Sequence, residues 1–67
     1  MGIIDHRKIK ELREGRGLTQ AEAARLAQLA GAGKWSEIET GQKSNITTDT
    51  LERVAKAIGA KPRDLLK

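Results

Sequence analysis

Few side chains in this sequence have the type and spacing to do covalent chemistry. Glu37 and Glu39 stand two apart in the run Lys34-Trp35-Ser36-Glu37-Ile38-Glu39-Thr40, and on a helix that spacing sends them to different faces, so they do not form a close carboxylate pair. His6 is the only histidine and cysteine is absent. A zinc centre needs clustered nitrogen and sulfur ligands, so no metal is expected and His6 reads as a solvent-facing residue. Gly31-Ala32-Gly33 is superficially like a phosphate loop, but a dinucleotide fingerprint also needs a third glycine and a preceding strand, and neither is present. With no nucleophile placed beside a base, the expectation is that the chain is not an enzyme and carries no cofactor.

Charge gives a broader indication. Thirteen Lys and Arg against nine Asp and Glu leave a formal charge of +4, a balance that favours polyanionic partners without identifying one. Residues 1–17 and 46–67 each sum to +2, whereas residues 18–45 sum to zero. The basic charge therefore lies mainly at the two ends.

The elements that must position these groups are helical. At 67 residues there is room for one domain, residues 1–67, and with 37% hydrophobic and 33% charged residues it is globular rather than disordered. The lone aromatic is Trp35, so the core is built from Ile, Leu, Val and Ala, which suits packed helices better than sheets. Without cysteine no disulfide can staple it. No apolar run is long enough to span a membrane, and Met1 to His6 is too polar for a signal peptide; a cytoplasmic location is expected. The Met1-Gly2 start lacks the Ser or Thr that myristoylation wants at the place of His6.

A first helix is expected from near Asp5, a side chain suited to capping, through Ile9 and Leu12, ending at Gly15-Arg16-Gly17. Thr19 and Glu22 have capping-box spacing and start a second helix, running through Ala21 to about Ala27 or Gln28. A turn is placed near Leu29 to Gly31. The third, short helix holds Lys34 to Thr40, with Gly41 as its C-terminal cap and with Trp35 and Ile38 facing inward. Trp35 is expected to fill space left by Ala23, Ala24 and Ala27 on the second helix. After a polar loop, Thr47 or Thr48 caps a fourth helix whose Leu51, Val54, Ala55 and Ile58 form one apolar stripe. Gly59 ends it, and Pro62 opens a fifth short helix ending on Leu65 and Leu66.

Taken in order, Ile9-Lys10-Glu11-Leu12-Arg13, Gly17-Leu18-Thr19-Gln20, Ala24, Ile38-Glu39-Thr40-Gly41, Thr50-Leu51, Ala55 and Ile58-Gly59 resemble the phage Cro/cI repressor family, the XRE-type helix-turn-helix group. The likeness runs from about Lys8 to Leu66. It implies an all-α, lambda-repressor-like fold of five short helices, with helices two and three forming the helix-turn-helix and the third lying in the major groove of double-stranded DNA. It also implies roles by position. Gln20 would meet a phosphate at the start of helix two. Ala32, Gly33, Lys34, Ser36 and Glu37 would lie at or near base edges, and Lys43, Ser44 and Asn45 would flank the backbone. Arg13 and Glu39 would form a partly buried ion pair.

The chain departs from the family in two ways. From Leu18 to Gly41 it is one residue longer than the usual spacing, which places an extra residue in the turn between helices two and three. Ala32 and Gly33 cannot hydrogen-bond a base, so readout through them is sparse. The function implied is sequence-specific duplex binding as a transcriptional regulator, probing a two-fold operator as a homodimer because one small domain buries little interface. No ligand-binding domain is expected. Two other readings stay open at this point: a protein-interaction module on the same fold, such as an antitoxin or accessory subunit, and a non-specific nucleic-acid binder.

Overall fold

The computed structural model describes residues 4–43 and 45–67. Four α-helices follow one another: α1 His6–Gly15, α2 Gln20–Leu26, α3 Ala32–Glu39 and α4 Thr48–Ala57. The expected fifth helix is instead a single 3-10 turn, Pro62–Leu65. Its shortness has a cause in packing. Leu65 is fully buried, and Leu66 already turns extended to make a β-bridge with Ile4, while the Asp5 N–H donates to the Leu65 carbonyl at 2.6 Å. The chain ends are thus tied together before an α-helical turn can repeat.

The helix starts follow local chemistry. The Asp5 carboxylate accepts from the Lys8 N–H at 3.2 Å, Thr19 and Glu22 close a reciprocal capping box, and the Thr47 hydroxyl accepts from the Thr50 N–H at 3.1 Å, each satisfying a backbone donor that the helix leaves free. Apolar stripes then meet around Trp35, Ile9, Val54, Ile58 and Leu65, all fully buried. On α2 the buried residues are Ala23 and Ala24, with Ala27 just beyond. These small side chains let α2 lie close to α3, whose Trp35 belongs to the same buried cluster.

Two boundaries differ from expectation at the α2–α3 turn. Helix α2 ends at Leu26, and α3 begins two residues before Lys34, with Gly31 as an N-cap in extended conformation (φ 169°) and no capping side chain. The left-handed residue is Gln28, at φ 59°. The Leu29 N–H reaches the Ala24 carbonyl at 2.8 Å and the Gln28 N–H the Arg25 carbonyl at 3.0 Å, which is the Schellman closure that ordinarily uses glycine. Glycine does fill that position after α1 and α4, at Gly17 and Gly59. Gln28 is therefore in a conformation costing about 1 kcal/mol. Gln28→Gly is expected to raise stability by roughly that amount, a melting-temperature gain of about 4–8 °C for a domain this small, measurable by circular dichroism. The Arg53 guanidinium bonds the carbonyl of residue 28, so the substitution leaves that contact in place. An unchanged or lower melting temperature would contradict the strain.

Candidate nucleic-acid interface

Helices α2 and α3 pack against each other across a five-residue turn, residues 27–31. On α3 the buried residues are Trp35, Ile38 and Glu39. The opposite face carries Gly33, Ser36 and Glu37, with Thr40 at the C-cap, at the spacing that lines up side chains on one side of a helix. Thr40 is exposed and its hydroxyl donates back to the Ser36 carbonyl at 2.8 Å. It is not among the residues expected at DNA, although its place four residues after Ser36 marks the shared face.

The expected contact residues are distributed around this face. Gly33 is open to solvent and Ser36 is half-buried. Ala32 is half-buried in the first turn, and Lys34 is exposed, bordering a depression between α3 and the following loop. Lys43 and Asn45, both exposed, line the same depression, as do Glu37 and Arg53. Ser44 lies outside the described residues. Arg53 is occupied within the fold, near Asp49 at 3.3 Å and bonded to the Gln28 carbonyl. Glu37 Oε1 is sealed from solvent with no hydrogen-bond partner among the described residues. Leaving it unpaired costs stability.

Gln20 lies at the first residue of α2, on the other flank, where it borders a second depression together with Thr40, Arg7 and Lys10. Arg16, by contrast, packs over Gly59 at the end of α4, where a cation suits the negative end of the helix dipole.

Beneath α3 lies a charged network that fixes its orientation. Arg13 Nε and Nη2 donate to Glu39 Oε2 and Oε1, each at 2.8 Å, and Nη1 donates to the Leu18 carbonyl at 2.6 Å. The Trp35 indole N–H donates to Glu39 Oε2. Burial pushes the Glu39 carboxyl up, but donation from Arg13 and Trp35, with the Arg13 charge, holds it below its ordinary value. The hydrogen bond to Glu39 in turn raises Arg13. A forked, fully engaged ion pair of this kind joins α1, the α1–α2 turn and α3. Composition and periodicity gave no sign of the Trp35 contribution, since an indole on an apolar face reads simply as core.

Among the described residues no three His, Cys, Asp or Glu side chains cluster to hold a metal, and no helix is long and apolar enough to cross a membrane.

Comparison with known proteins agrees with this architecture. Residues 7–67 match a family model described as a helix-turn-helix domain. Curated protein sequences gave no match. Among solved structures, the chain is similar to the restriction-modification controller protein C.AhdI from Aeromonas hydrophila, with a TM-score of 0.82 and 30% identity, 91% of this chain and 89% of that chain being covered. It is also similar to SinR, a master regulator for biofilm formation solved in complex with DNA (TM-score 0.85, 26% identity, 96% of this chain and 100% of that chain). The clp gene regulator ClgR from Corynebacterium glutamicum gives a TM-score of 0.79 at 28% identity, covering 90% of this chain and 62% of that one. By its family match and its likeness to these regulators, the chain belongs to the helix-turn-helix family of DNA-binding regulators, in its Cro/cI-like, XRE-type group.

Proposed function

We propose that the chain binds double-stranded DNA sequence-specifically as a transcriptional regulator, a repressor, with α3 in the major groove. The observation that carries this reading is the outer face of α3, which the fold leaves uncovered and polar, held rigid from beneath by the Arg13–Glu39–Trp35 network. Ser36, Glu37 and Thr40 on that face reach base edges, which display a distinct donor and acceptor pattern in the major groove. Ala32 and Gly33 permit close approach without reading a base, Lys34, Lys43 and Asn45 face the backbone or base edges on one flank, and Gln20 the backbone on the other.

The longest dimension of the domain is 27 Å, shorter than the roughly 34 Å that separates half-sites one helical turn apart. Two copies therefore fit side by side on a two-fold operator, and a homodimer is part of the proposal. The same reading takes the 67 residues as one domain acting in the cytoplasm, with no catalytic step and no cofactor.

Binding is expected to weaken with salt, each phosphate contact contributing about −0.9 to the slope of log K against log salt. Lys43→Ala lowers affinity equally on all sequences, whereas Ser36→Ala changes which sequence is preferred. Selection from a random duplex pool followed by binding titrations checks both. A pool that yields no enriched motif would overturn the regulator reading.

A further inference from the structure

The role expected for Gln20 rested on the N-terminus of α2 attracting a phosphate, yet that end is already used within the chain. Thr19 Oγ1 accepts from the Glu22 N–H at 3.0 Å and the Glu22 carboxylate accepts from the Thr19 N–H at 2.8 Å. Those bonds hold the Glu22 carboxyl below its ordinary value, so a negative charge stands where a phosphate would arrive. At seven residues, α2 also has little dipole to offset it. A DNA backbone passing Gln20 needs its positive partner from another element.

That partner is on α1. Arg7 and Lys10 stand three apart on one face of α1 and border the same depression as Gln20 and Thr40. Both are exposed, and among the described residues neither is in an ion pair. Arg13, the next cation of that face, is neutralised by Glu39. No acidic residue stands in the first turn of α1. The stripe is also fixed relative to α3, because the His6 ring lies against Gly41, where an added Cβ would come within 3.3 Å of it. Thr40 is shared between the outer face of α3 and the rim of this depression, while Lys34 and Lys43 stand on the opposite flank.

Building on the DNA-binding reading, we infer that Arg7 and Lys10 of α1 hold the phosphate backbone on one rim of the major groove, opposite the rim met by Lys43. The charge expected from the α2 terminus is supplied by α1, and α3 is clamped between two backbones rather than tethered along one.

The test uses the full 67-residue chain, the duplex with the highest affinity from the random pool and a shuffled duplex of equal length, with binding read by fluorescence anisotropy at several salt concentrations. R7Q/K10Q should make the salt slope shallower by about 1.8, two contacts at about 0.9 each, on both duplexes and with the sequence preference unchanged. K8Q, an exposed lysine on the other flank of α1, should leave the slope as it was. Because all three side chains are exposed, melting curves should coincide. An unchanged slope in R7Q/K10Q overturns the inference and leaves the DNA-binding reading standing. A fall in slope with K8Q of the same size per charge also overturns it, since diffuse charge then explains the effect. No duplex binding by the unaltered chain at any salt overturns both.

Discussion

Trp35→Ala is expected to remove a large share of the domain's stability and to lower its melting temperature sharply. The indole is fully buried and is the largest side chain in the core; truncating a large aromatic costs about 3–5 kcal/mol, including the cavity left behind. A domain of this length has only about 3–10 kcal/mol to lose, at 0.05–0.15 kcal/mol per residue. The neighbours cannot collapse into the void, since α2 presents Ala23, Ala24 and Ala27 to the core, and none of these can extend. Glu39 also loses its indole donor. Trp35→Phe separates the two effects, keeping most of the volume and removing the N–H, and should fall between the alanine variant and the unaltered chain in thermal melts. The single tryptophan also reports on itself. Its emission in the folded, DNA-free protein should be blue-shifted and resistant to a neutral quencher, moving red only with global unfolding; emission near that of free indole would refute the burial.

Arg13→Met should have the next largest effect, with a distinctive dependence on pH. The Glu39 side chain is 2% exposed, and removing the guanidinium leaves its carboxylate with only the neutral donors of Trp35 and Gln20. Breaking one partner of a buried pair costs about 3–5 kcal/mol. In the unaltered protein the Glu39 carboxyl lies below its ordinary value of 4.5, so its contribution is fully present above that pH and is lost as pH falls through the depressed value. Without Arg13, burial dominates and pushes the carboxyl up. The sign then reverses: the variant is penalised at neutral pH and relieved as the carboxyl takes up a proton. The gap in melting temperature between the two proteins should therefore narrow on acidification. Glu22, also held low by its capping-box bonds to Thr19, contributes equally to both and cancels in the difference. A double-mutant cycle with Glu39→Gln at pH 7 should show strong coupling; additive losses, or a gap that widens in acid, would count against the pair.

Much of the fold was legible in the sequence because it is decided within one or two turns of chain. Asp5, Thr19 with Glu22, and Thr47 bond to backbone donors three residues away, and the stripe from Leu51 to Ile58 needs only helical periodicity to declare its buried face. The ion pair between Arg13 and Glu39 spans 26 positions and was visible only through resemblance to a family. Composition places no such partners together.

Other features were settled by tertiary structure alone. The sequence places the turn near Leu29 to Gly31, yet the left-handed residue is Gln28, because closing α2 there lets Leu29 pack against the core, and that burial outweighs the backbone cost. Pro62 and Leu65 suggested a fifth α-helix, but the chain end must turn extended to meet Ile4, which leaves room for one 3-10 turn. In the sequence Arg7 and Lys10 are only part of a basic chain end, and it is the packing of α1 on α3 that sets them beside Gln20 and Thr40. Short-range hydrogen bonding and periodicity are written into neighbouring residues, so a sequence carries them directly. Which charges converge on one surface depends on how helices pack, and that is fixed only when the whole core has formed around Trp35.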